Sequence, residues 1–289
     1  DQSNRGSVSV RHMGVVHSHL ENGIYAPTTF GSISIFNTAS GDIEAEEHGI
    51  EIDVVSSLNS ILVRNNGDIL SFTGDGVHVE GDAATFALLN NGDIRSGGAG
   101  GGDDGVRLDV GMLIGGIINT GDIEGDEEGI DIASDSVLFG IFNSGEIAAP
   151  ENAIRSNADL GLILVENTGF ISSVNNDAIE TQGTNDIIVN LDNGMIVSET
   201  EDAITTGARA DLVMITGGVV NGFDVAVNTG TGDDEIEISR ASVTGGSGTS
   251  VLGGEGDDHI SLGNDAEIDG LIDGSEDGPD DDIPDGDID

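Results

Sequence analysis

The sequence contains no cysteine and no tryptophan, and it has one tyrosine and 4 prolines among its 289 residues. The absence of cysteine excludes a disulfide scaffold and a thiolate metal site, but it leaves the redox compartment open. Apolar stretches are also short, and none approaches the roughly 18 consecutive apolar residues of a membrane span. We therefore expect no membrane insertion of this segment.

Positive charge is almost absent. The chain has no lysine, and 8 arginines face 55 aspartates and glutamates, which gives a formal net charge of −47. Proteins that bind nucleic acid neutralise its phosphates with a basic patch, which this composition cannot supply. Anionic membranes would repel such a chain for the same reason. The composition therefore excludes nucleic acid as a partner and favours Ca²⁺ or other divalent cations.

A motif of the form Asn-x-Gly-acid-Ile recurs along most of the chain. Its glycine is an anchor, and successive anchors are 23 to 29 residues apart. The anchors are Gly41, Gly67, Gly92, Gly121, Gly145, Gly169 and Gly194, with a degenerate copy at Gly217. The longest interval contains the glycine-rich insert GGAGGGDDG (97–105), which we predict to be a loop. A fixed period of this length indicates a stacked repeat architecture.

Each repeat contains three short strand signals separated by glycine, asparagine and aspartate. In the clearest copy, alternation predicts three inward isoleucines, namely Ile123, Ile130 and Ile132. The acids predicted to point outward there are Asp122, Glu124 and Asp131. We expect the turn glycines to adopt positive φ, which asparagine also tolerates. The predicted fold is all-β, a single-stranded parallel β-helix of about 11 three-strand turns in which stacked units share one core.

The pattern Ile-x-Asn-x-Gly-x-Ile, followed by Gly-Ile-x-Ile, resembles the β-helical passenger domains of bacterial autotransporters over residues 30–262. The resemblance implies a right-handed helix in a secreted or cell-surface protein, hence an extracellular location. It also implies a role in adhesion, aggregation or protease display, and we expect a host or matrix surface among the ligands. We divide the chain into an N-terminal cap or irregular segment (1–30), β-helix repeats (31–228), turns with Gly-x-Gly-Asp-Asp motifs (229–272) and an acidic tail (273–289).

Two segments resemble the calcium-binding nonapeptide Gly-Gly-x-Gly-x-Asp of RTX proteins. GGEGDDHIS (253–261) fits at every position, and TGTGDDEIE (229–237) fits with Thr229 in place of one glycine. The resemblance implies calcium as a cofactor, held by aspartate carboxylates and turn carbonyls. The metal-site residues that it implies are Gly230, Gly232, Asp233, Asp234, Gly254, Gly256, Asp257 and Asp258. RTX nonapeptides follow in tandem, whereas these are 24 residues apart, so the alternative is that both are tight turns of the solenoid.

A further acidic feature precedes the second strand of each repeat. Stacking would place these residues in a column with a spacing of about 5 Å, where bound cations, salt or outward splay would relieve the repulsion. A solvated acidic face is the alternative. The pairs are Glu47-His48, Gly74-Asp75, Asp103-Asp104, Glu127-Glu128, Glu151-Asn152, Asn176-Asp177 and Glu201-Asp202. In the tail, Asp273, Ser275, Asp277 and Gly278 match half of an EF-type calcium loop, and we predict a poorly ordered acidic terminus.

Histidines and arginines give little support for a zinc site or for catalysis. His17 and His19, with His12 nearby, form the one histidine cluster in the sequence and lack a third strong ligand. The remaining histidines are predicted to be outward strand or turn residues, namely His48, His78 and His259. Polysaccharide-active β-helix enzymes combine paired acids with a cationic residue, and here the pair Asp103-Asp104 has only Arg107 nearby. We therefore predict no enzyme activity and no catalytic residues.

The third strand of several repeats is apolar at successive positions, as in VLFGIF (137–142), LGLILV (160–165), DIIVNL (186–191) and LVMI (212–215). Only alternate residues can face the core, so the others are predicted to form an outward stripe, which is typical of contact surfaces. The alternative is that residues 1–30 cover it. The sequence favours a structural or adhesive solenoid that responds to calcium and forms a homo-oligomer or filament. A non-assembling spacer or binding module of a larger adhesin, and a polysaccharide-active enzyme, are the alternatives.

Overall fold

The computed structural model describes residues 7–27, 31–54, 59–97, 103–183, 185–274 and 287–288. Within these ranges the protein is all-β and contains no helix. Its parallel strands form one β-solenoid of about 10 turns. The predicted fold class is therefore confirmed, with about one turn fewer than the period suggested. The right-handed winding stays a prediction.

The strands are short, and several run round a corner of the solenoid without interruption. Their bounds are β1 (Val8–Ser18), β2 (Ile24–Tyr25), β3 (Ser32–Ala45), β4 (Ile50–Val54), β5 (Asn59–Asn65), β6 (Asp68–Ser71), β7 (Val77–Asn90), β8 (Asp93–Arg95), β9 (Val106–Asn119), β10 (Asp122–Glu124), β11 (Ile130–Ile132), β12 (Ser136–Asn143), β13 (Glu146–Ala149), β14 (Ile154–Ser156), β15 (Leu160–Asn167), β16 (Phe170–Ser173), β17 (Ile179–Thr181), β18 (Asn185–Asn190), β19 (Met195–Ser198), β20 (Ile204–Thr205), β21 (Leu212–Ile215), β22 (Val219–Gly222), β23 (Val227–Asn228), β24 (Glu235–Ile238), β25 (Ser242–Leu252), β26 (His259–Leu262), β27 (Glu267–Asp273) and β28 (Asp287–Ile288).

Pairing in register divides the solenoid into three faces. Strands that follow the anchor glycines form the first face, where Ile123 of β10 pairs with Ile94 of β8 and Ile147 of β13. Strands β4, β11, β14, β17, β20 and β23 belong to the second face, and β5, β12, β15, β18, β21, β24 and β26 to the third. The longer strands β7 and β9 contribute to the second and third faces together. A residue therefore lies beside its counterpart one period away.

Stacked isoleucines and valines fill the interior. Ile123, Ile130 and Ile132 are fully buried, as the alternation predicts. Burial of this kind is the main favourable term, because each unit has no core of its own. The predicted outward orientation of Asp131 holds, but outward does not mean exposed. Asp131 projects from the outer side of β11 and is nevertheless 0 % exposed, because it lies under the side chains of Arg107 and Arg155.

The asparagine of the repeated motif is not a turn residue but a buried ladder residue. Its side-chain amide donates to the side-chain oxygen of the asparagine one turn later, at 2.8 to 3.0 Å. The ladder comprises Asn37, Asn65, Asn90, Asn119, Asn143, Asn167 and Asn190. The amides also donate to backbone carbonyls, so they satisfy polar groups at a corner where the sheet turns.

The anchor glycines also have a different role from the predicted one. None of them has φ in the left-handed region. Instead, a Cβ atom at Gly67, Gly92 or Gly121 would lie 2.1 Å from the carbonyl oxygen of the anchor one turn earlier. Glycine is needed at these corners because successive backbones approach closely. The expected positive φ is found at other turn glycines, such as Gly230, Gly232 and Gly254, and not at the anchors.

The two ends of the chain differ from the central turns. β1 and β2, which lie in the predicted irregular segment 1–30, pair with β3 and β4, so described turns begin at Val8. The pairing of β1 with β3 shifts its register once, between His12 and Gly14. In the predicted acidic tail, β28 pairs with β26. The EF-type positions Ser275, Asp277 and Gly278 lie outside the described residues, as does most of the glycine-rich insert.

Candidate functional site

The two nonapeptide segments are brought together by the winding of the chain. Thr231 and Glu255 form a parallel bridge, so the 24-residue separation is one turn of the solenoid. Four glycines of the motifs have positive φ, namely Gly230, Gly232, Gly254 and Gly256. Both segments are tight turns stacked on each other. The predicted ligands are therefore neighbours in space, although they are not in tandem.

The four aspartates of these turns divide into a buried pair and an exposed pair. Asp234 and Asp258 are 2 % and 4 % exposed. The Oδ1 atom of Asp258 accepts the backbone N–H of Asp234 at 3.0 Å. Asp233 and Asp257 are exposed, and the Oδ1 atom of Asp233 accepts the backbone N–H of Asp257 at 3.1 Å. The carboxylates thus stabilise the stack whether or not an ion is bound.

Two further aspartates belong to the buried column and were not predicted from the sequence. Asp211 accepts the backbone N–H of Asp186 at 2.7 Å, and Asp234 accepts that of Asp211 at 2.8 Å. Asp186 and Asp211 are 1 % and 3 % exposed. A signal was present, since an aspartate followed by apolar residues recurs at this register. It was hidden because Arg209, with φ of 89°, occupies the position that glycine holds at Gly232.

These buried carboxyl groups are unusually weak acids. Burial raises the pKa of Asp211 to about 8 and that of Asp234 to about 6, although each accepts a backbone hydrogen bond that acts in the opposite direction. Burial also raises the pKa of Asp258. The Oδ2 atoms of these three residues are buried without a hydrogen-bond partner. Such atoms favour either a proton or a cation.

The raised pKa of Asp211 predicts that stability falls as the pH rises. The folded chain keeps this proton above pH 4, where an ordinary unfolded aspartate has lost it. The contribution of protonated Asp211 to the free energy of unfolding is therefore fully present below about pH 4, and it is lost as the pH rises through about 8. We expect Asp211→Asn to raise the free energy of unfolding near pH 8.5 by a few kcal/mol and to change it little near pH 4. Denaturant unfolding in EDTA between about pH 4 and pH 8.5 measures how the free energy of unfolding changes with pH.

The exposed Asp233→Asn substitution is the matched control, because it removes the same charge one turn later without filling a buried position. Its pH dependence should follow that of the wild type. If the free energy of unfolding of Asp211→Asn also changes with pH as it does in the wild type, Asp211 is charged in the folded chain at neutral pH.

Calcium at the nonapeptides stays a prediction. Among the described residues, three groups of histidine, aspartate or glutamate place at least three ligand atoms within 4.8 Å of one another. None of these groups contains Asp233, Asp234, Asp257 or Asp258. The Oδ2 atoms of the buried aspartates have no hydrogen-bond partner, which favours a cation at the nonapeptides. Too few carboxylates lie close together there to form a group of three ligand atoms, which does not favour one.

The acidic column before the second strands is present, but its inner members are not a solvated face. His48, Asp75 and Asp104 accept the backbone N–H of the corresponding residue one turn later at 2.8 to 3.1 Å. Asp75, Asp104 and Glu128 are at most 4 % exposed. The alternative of a solvated column is therefore wrong for these residues, because their side chains cap stacked turns. Asp177 and Asp202 continue the same pattern further along the chain.

A network of opposite charges lies beside this column on the second face, hereafter the charged face. Arg107 is 3.2 Å from both Asp104 and Asp131, and Arg155 contacts Asp131 and Glu128. Burial raises the pKa of Asp104, and its contact with Glu128 acts in the same direction. From the sequence, Arg107 was the one cationic residue near the Asp103-Asp104 pair, whereas the structure brings Arg155 to the same place. The two arginines converge because Arg107, Asp131 and Arg155 occupy one register position in adjacent strands.

Two histidines lie at the edge of the charged face. Asp75 Oδ2 is 2.8 Å from His78 Nδ1 and 3.4 Å from His48 Nδ1, and the two rings meet edge to face with centroids 4.6 Å apart. Burial lowers the pKa of His48. Burial opposes protonation of His78 too, but the contact with Asp75 outweighs it and raises the pKa. His78 is an outward strand residue and His48 a turn residue, as predicted, and the two also belong to one cluster.

The predicted N-terminal histidine cluster is less compact. His17 Nδ1 is 2.6 Å from Glu44, and the rings of His17 and His19 stack with centroids 6.3 Å apart. His12 Nε2 contacts the carbonyl oxygen of Gly14 at 2.9 Å. These histidines do not form one of the described groups that could hold a metal.

The third face carries the predicted apolar stripe. Leu138 lies between Ile114 and Leu162, and Phe142 follows Ile118 in the neighbouring row. The outward side chains of three adjacent turns are 40 to 55 % exposed, namely Met112, Ile114, Ile118, Leu138, Phe142 and Leu160. We call these six residues the apolar face. Half-buried Leu164, Ile187 and Leu212 extend it, and it ends where Leu212 pairs with Glu235.

The N-terminal segment does not cover this face within the described residues. β1 stacks on β3 at one end of the solenoid, and β2 pairs with β4. The predicted alternative, in which residues 1–30 shield the stripe, is therefore wrong for β1 and β2. The apolar face is a free surface of the described chain.

Comparisons with known proteins found no similar protein. No protein-family model matches the sequence. No curated protein and no solved structure matches it either. In the described ranges, no helix is long and apolar enough to cross a membrane.

Proposed function

We propose that this chain is a structural or adhesive solenoid of a secreted or cell-surface protein and that it self-associates through the apolar face. The observation that carries the proposal is the group of six exposed apolar side chains on three adjacent turns. Monomeric proteins seldom leave so contiguous an apolar surface in water, and larger patches mark contact sites. The resemblance to autotransporter passenger domains supports the same role and the same location.

The shape of the apolar face suits contact with another extended surface. Gly116 and Gly140 pair in the middle of the stripe, so a shallow groove runs between larger side chains. Leu138, Phe142 and Leu164 are among the residues that line it. A second copy could place its own outward side chains there, which makes a homo-oligomer or filament the natural product.

Charge opposes such an association. Two copies of a chain with a net charge of −47 repel each other at low ionic strength. Divalent cations would reduce the repulsion, and the RTX-like turns with their buried Asp234 and Asp258 are the candidate calcium sites. We therefore include calcium dependence in the proposed function. A host or matrix surface is the alternative occupant of the apolar face.

Leu138→Asp is expected to abolish association without lowering stability, because Leu138 is 55 % exposed and its side chain faces solvent in one copy. Val174→Asp adds the same charge at an apolar residue that is 44 % exposed outside the apolar face. Sizing by sedimentation over a range of concentrations, in EDTA and then in millimolar calcium, compares them. We expect assembly of the wild type and Val174→Asp in calcium and a monomer for Leu138→Asp.

A monomeric wild type under all conditions would contradict self-association and favour the spacer or binding module of a larger adhesin. Assembly that is the same in EDTA would contradict the calcium part alone. Thermal unfolding of the same samples separates the two effects, because calcium bound at the nonapeptides should raise the melting temperature even in Leu138→Asp.

One observation favours the polysaccharide-active alternative, namely the pairing of Arg107 and Arg155 with acids on the charged face. These groups, however, bind one another. Asp104 and Asp131 are 0 % exposed and have guanidinium partners, so the network cross-links adjacent turns. We propose that this chain is not an enzyme, and a polyuronate would also meet a strongly acidic surface.

A further inference from the structure

Two imidazoles and one carboxylate meet at the edge of the charged face. His48 precedes β4, Asp75 occupies the same position one turn later, and His78 lies in β7 beside Glu51. One ligand atom from each of His48, Asp75 and His78 falls within 4.8 Å of the other two. No other described cluster brings two histidine nitrogens and a carboxylate oxygen together in this way.

The distances suit a small dication. Zinc binds imidazole nitrogen and carboxylate oxygen at about 2.0 to 2.2 Å, so two ligand atoms of a tetrahedral site are about 3.3 Å apart. Asp75 Oδ2 lies 2.8 Å from His78 Nδ1 and 3.4 Å from His48 Nδ1, on either side of that value. The side chain of Asp75 is 5 % exposed and that of His78 is 14 % exposed, so both are already held in place.

Neighbouring groups orient these ligands. The Oδ1 atom of Asp75 accepts the backbone N–H of Asp104 at 2.8 Å, which directs Oδ2 toward the two rings. The nearest fixed cation, Arg107, is neutralised by Asp104 and Asp131. One hydrogen bond competes with a metal, because His48 Nδ1 accepts the backbone N–H of Asp75 at 2.9 Å. Coordination at that atom has to replace this bond.

We propose that His48, Asp75 and His78 form a three-ligand site for a transition-metal dication such as Zn²⁺, with the fourth position open to water or to a ligand. Imidazole nitrogen favours zinc, cobalt, nickel and copper, whereas calcium takes oxygen ligands only. The site is therefore separate from the nonapeptide turns and does not depend on the proposed self-association. The side chain of His48 is 24 % exposed, which leaves a route from solvent.

Imidazole ¹⁵N spectra of the wild-type chain test the site directly, because the sequence has only 6 histidines. The titration uses Zn²⁺ in excess Mg²⁺, which occupies weak carboxylate sites. We expect one equivalent to shift the ring nitrogens of His48 and His78 and to leave those of His17, His19 and His259 unchanged. A shift confined to His17 and His19, or no shift at all, would overturn the proposal.

Co²⁺ provides a second readout, since a tetrahedral site has an intense visible absorption band that hexaaqua cobalt lacks. We expect His48→Ala and His78→Ala each to lose the band and to weaken Co²⁺ binding by at least about 10-fold. The matched controls are His259→Ala and the double variant His17→Ala/His19→Ala, which should keep the band. Survival of the band in both single variants would overturn the site. The wild-type spectra decide the matter if either variant does not fold.

Discussion

Asn119→Ala is expected to lower the free energy of unfolding by about 3 to 5 kcal/mol, although it removes only an amide. The side chain is 0 % exposed and lies in the middle of the asparagine ladder. Its amide donates to Asn143 Oδ1 and to the carbonyl oxygens of Gly121 and Glu146, each at 2.9 Å. Its own oxygen accepts the amide of Asn90 at 2.8 Å.

The size of the effect follows from what the substitution leaves behind. Alanine can neither donate nor accept, so all four hydrogen bonds of the side chain are lost, and each contributes about 0.5 to 1.5 kcal/mol. The carbonyl oxygen of Gly121 keeps only the backbone N–H of Glu146, at 3.0 Å. Asn119 also joins the turn before it to the turn after it, so its contacts with both neighbouring turns weaken together. Leucine would fill the space but would restore none of these hydrogen bonds, and it should therefore not restore stability.

Asn91→Ala is the matched control, because it makes the same substitution at an exposed asparagine in the preceding turn. Asn91 donates to Asn66 at 2.7 Å on the surface, where water can replace the partner. We expect a change of at most about 1 kcal/mol there. Thermal unfolding and hydrogen exchange measure both variants. Equal losses in the two would show that the ladder contributes no more than surface hydrogen bonds.

The fold could be predicted from the period because a solenoid repeats its own environment. Once Ile94, Ile123 and Ile147 recur at similar spacing, their pairing in register is the way to bury all three. The outward side chains are not constrained in this way, because they need not be buried. Asp131 follows the outward alternation and is buried, because its neighbours one period away are Arg107 and Arg155. Alignment of the repeats by register would have shown this pairing, whereas alternation within one repeat could not.

The candidate sites were predicted in part for the same reason. The Gly-x-Gly-Asp-Asp segments stood out because they match a known pattern, and their stacking was implied by the period. Asp211 was missed because glycine does not precede it at the expected position, and Arg209 adopts positive φ instead. The His48, Asp75 and His78 cluster was missed because its members come from two turns. The spacing of the repeats had placed His48 and Asp75 in one column, but the side-chain direction that brings His78 to them could not be predicted from it.

Gly121→Ala should be among the most destabilising single substitutions, with a loss of more than about 3 kcal/mol. The added Cβ would lie 2.1 Å from the carbonyl oxygen of Gly92. That oxygen also accepts the backbone N–H of Asp122 at 3.2 Å, so relief of the clash has to separate two paired turns. A tightly packed stack cannot absorb such a shift locally.

Two different substitutions of Gly121 distinguish a need for positive φ from a need for close approach of the backbones. If Gly121 were required for positive φ, Asn would be tolerated better than Ala, because asparagine enters the left-handed region more readily. If close approach is the reason, Gly121→Asn should be at least as harmful as Gly121→Ala. Gly14→Ala is the second comparison, since Gly14 has φ of 120° and a Cβ there meets no atom within 4 Å. It should lose only the conformational term of about 1 to 3 kcal/mol. Denaturant unfolding of all three variants decides between steric and conformational causes, and rescue by asparagine would contradict the steric one.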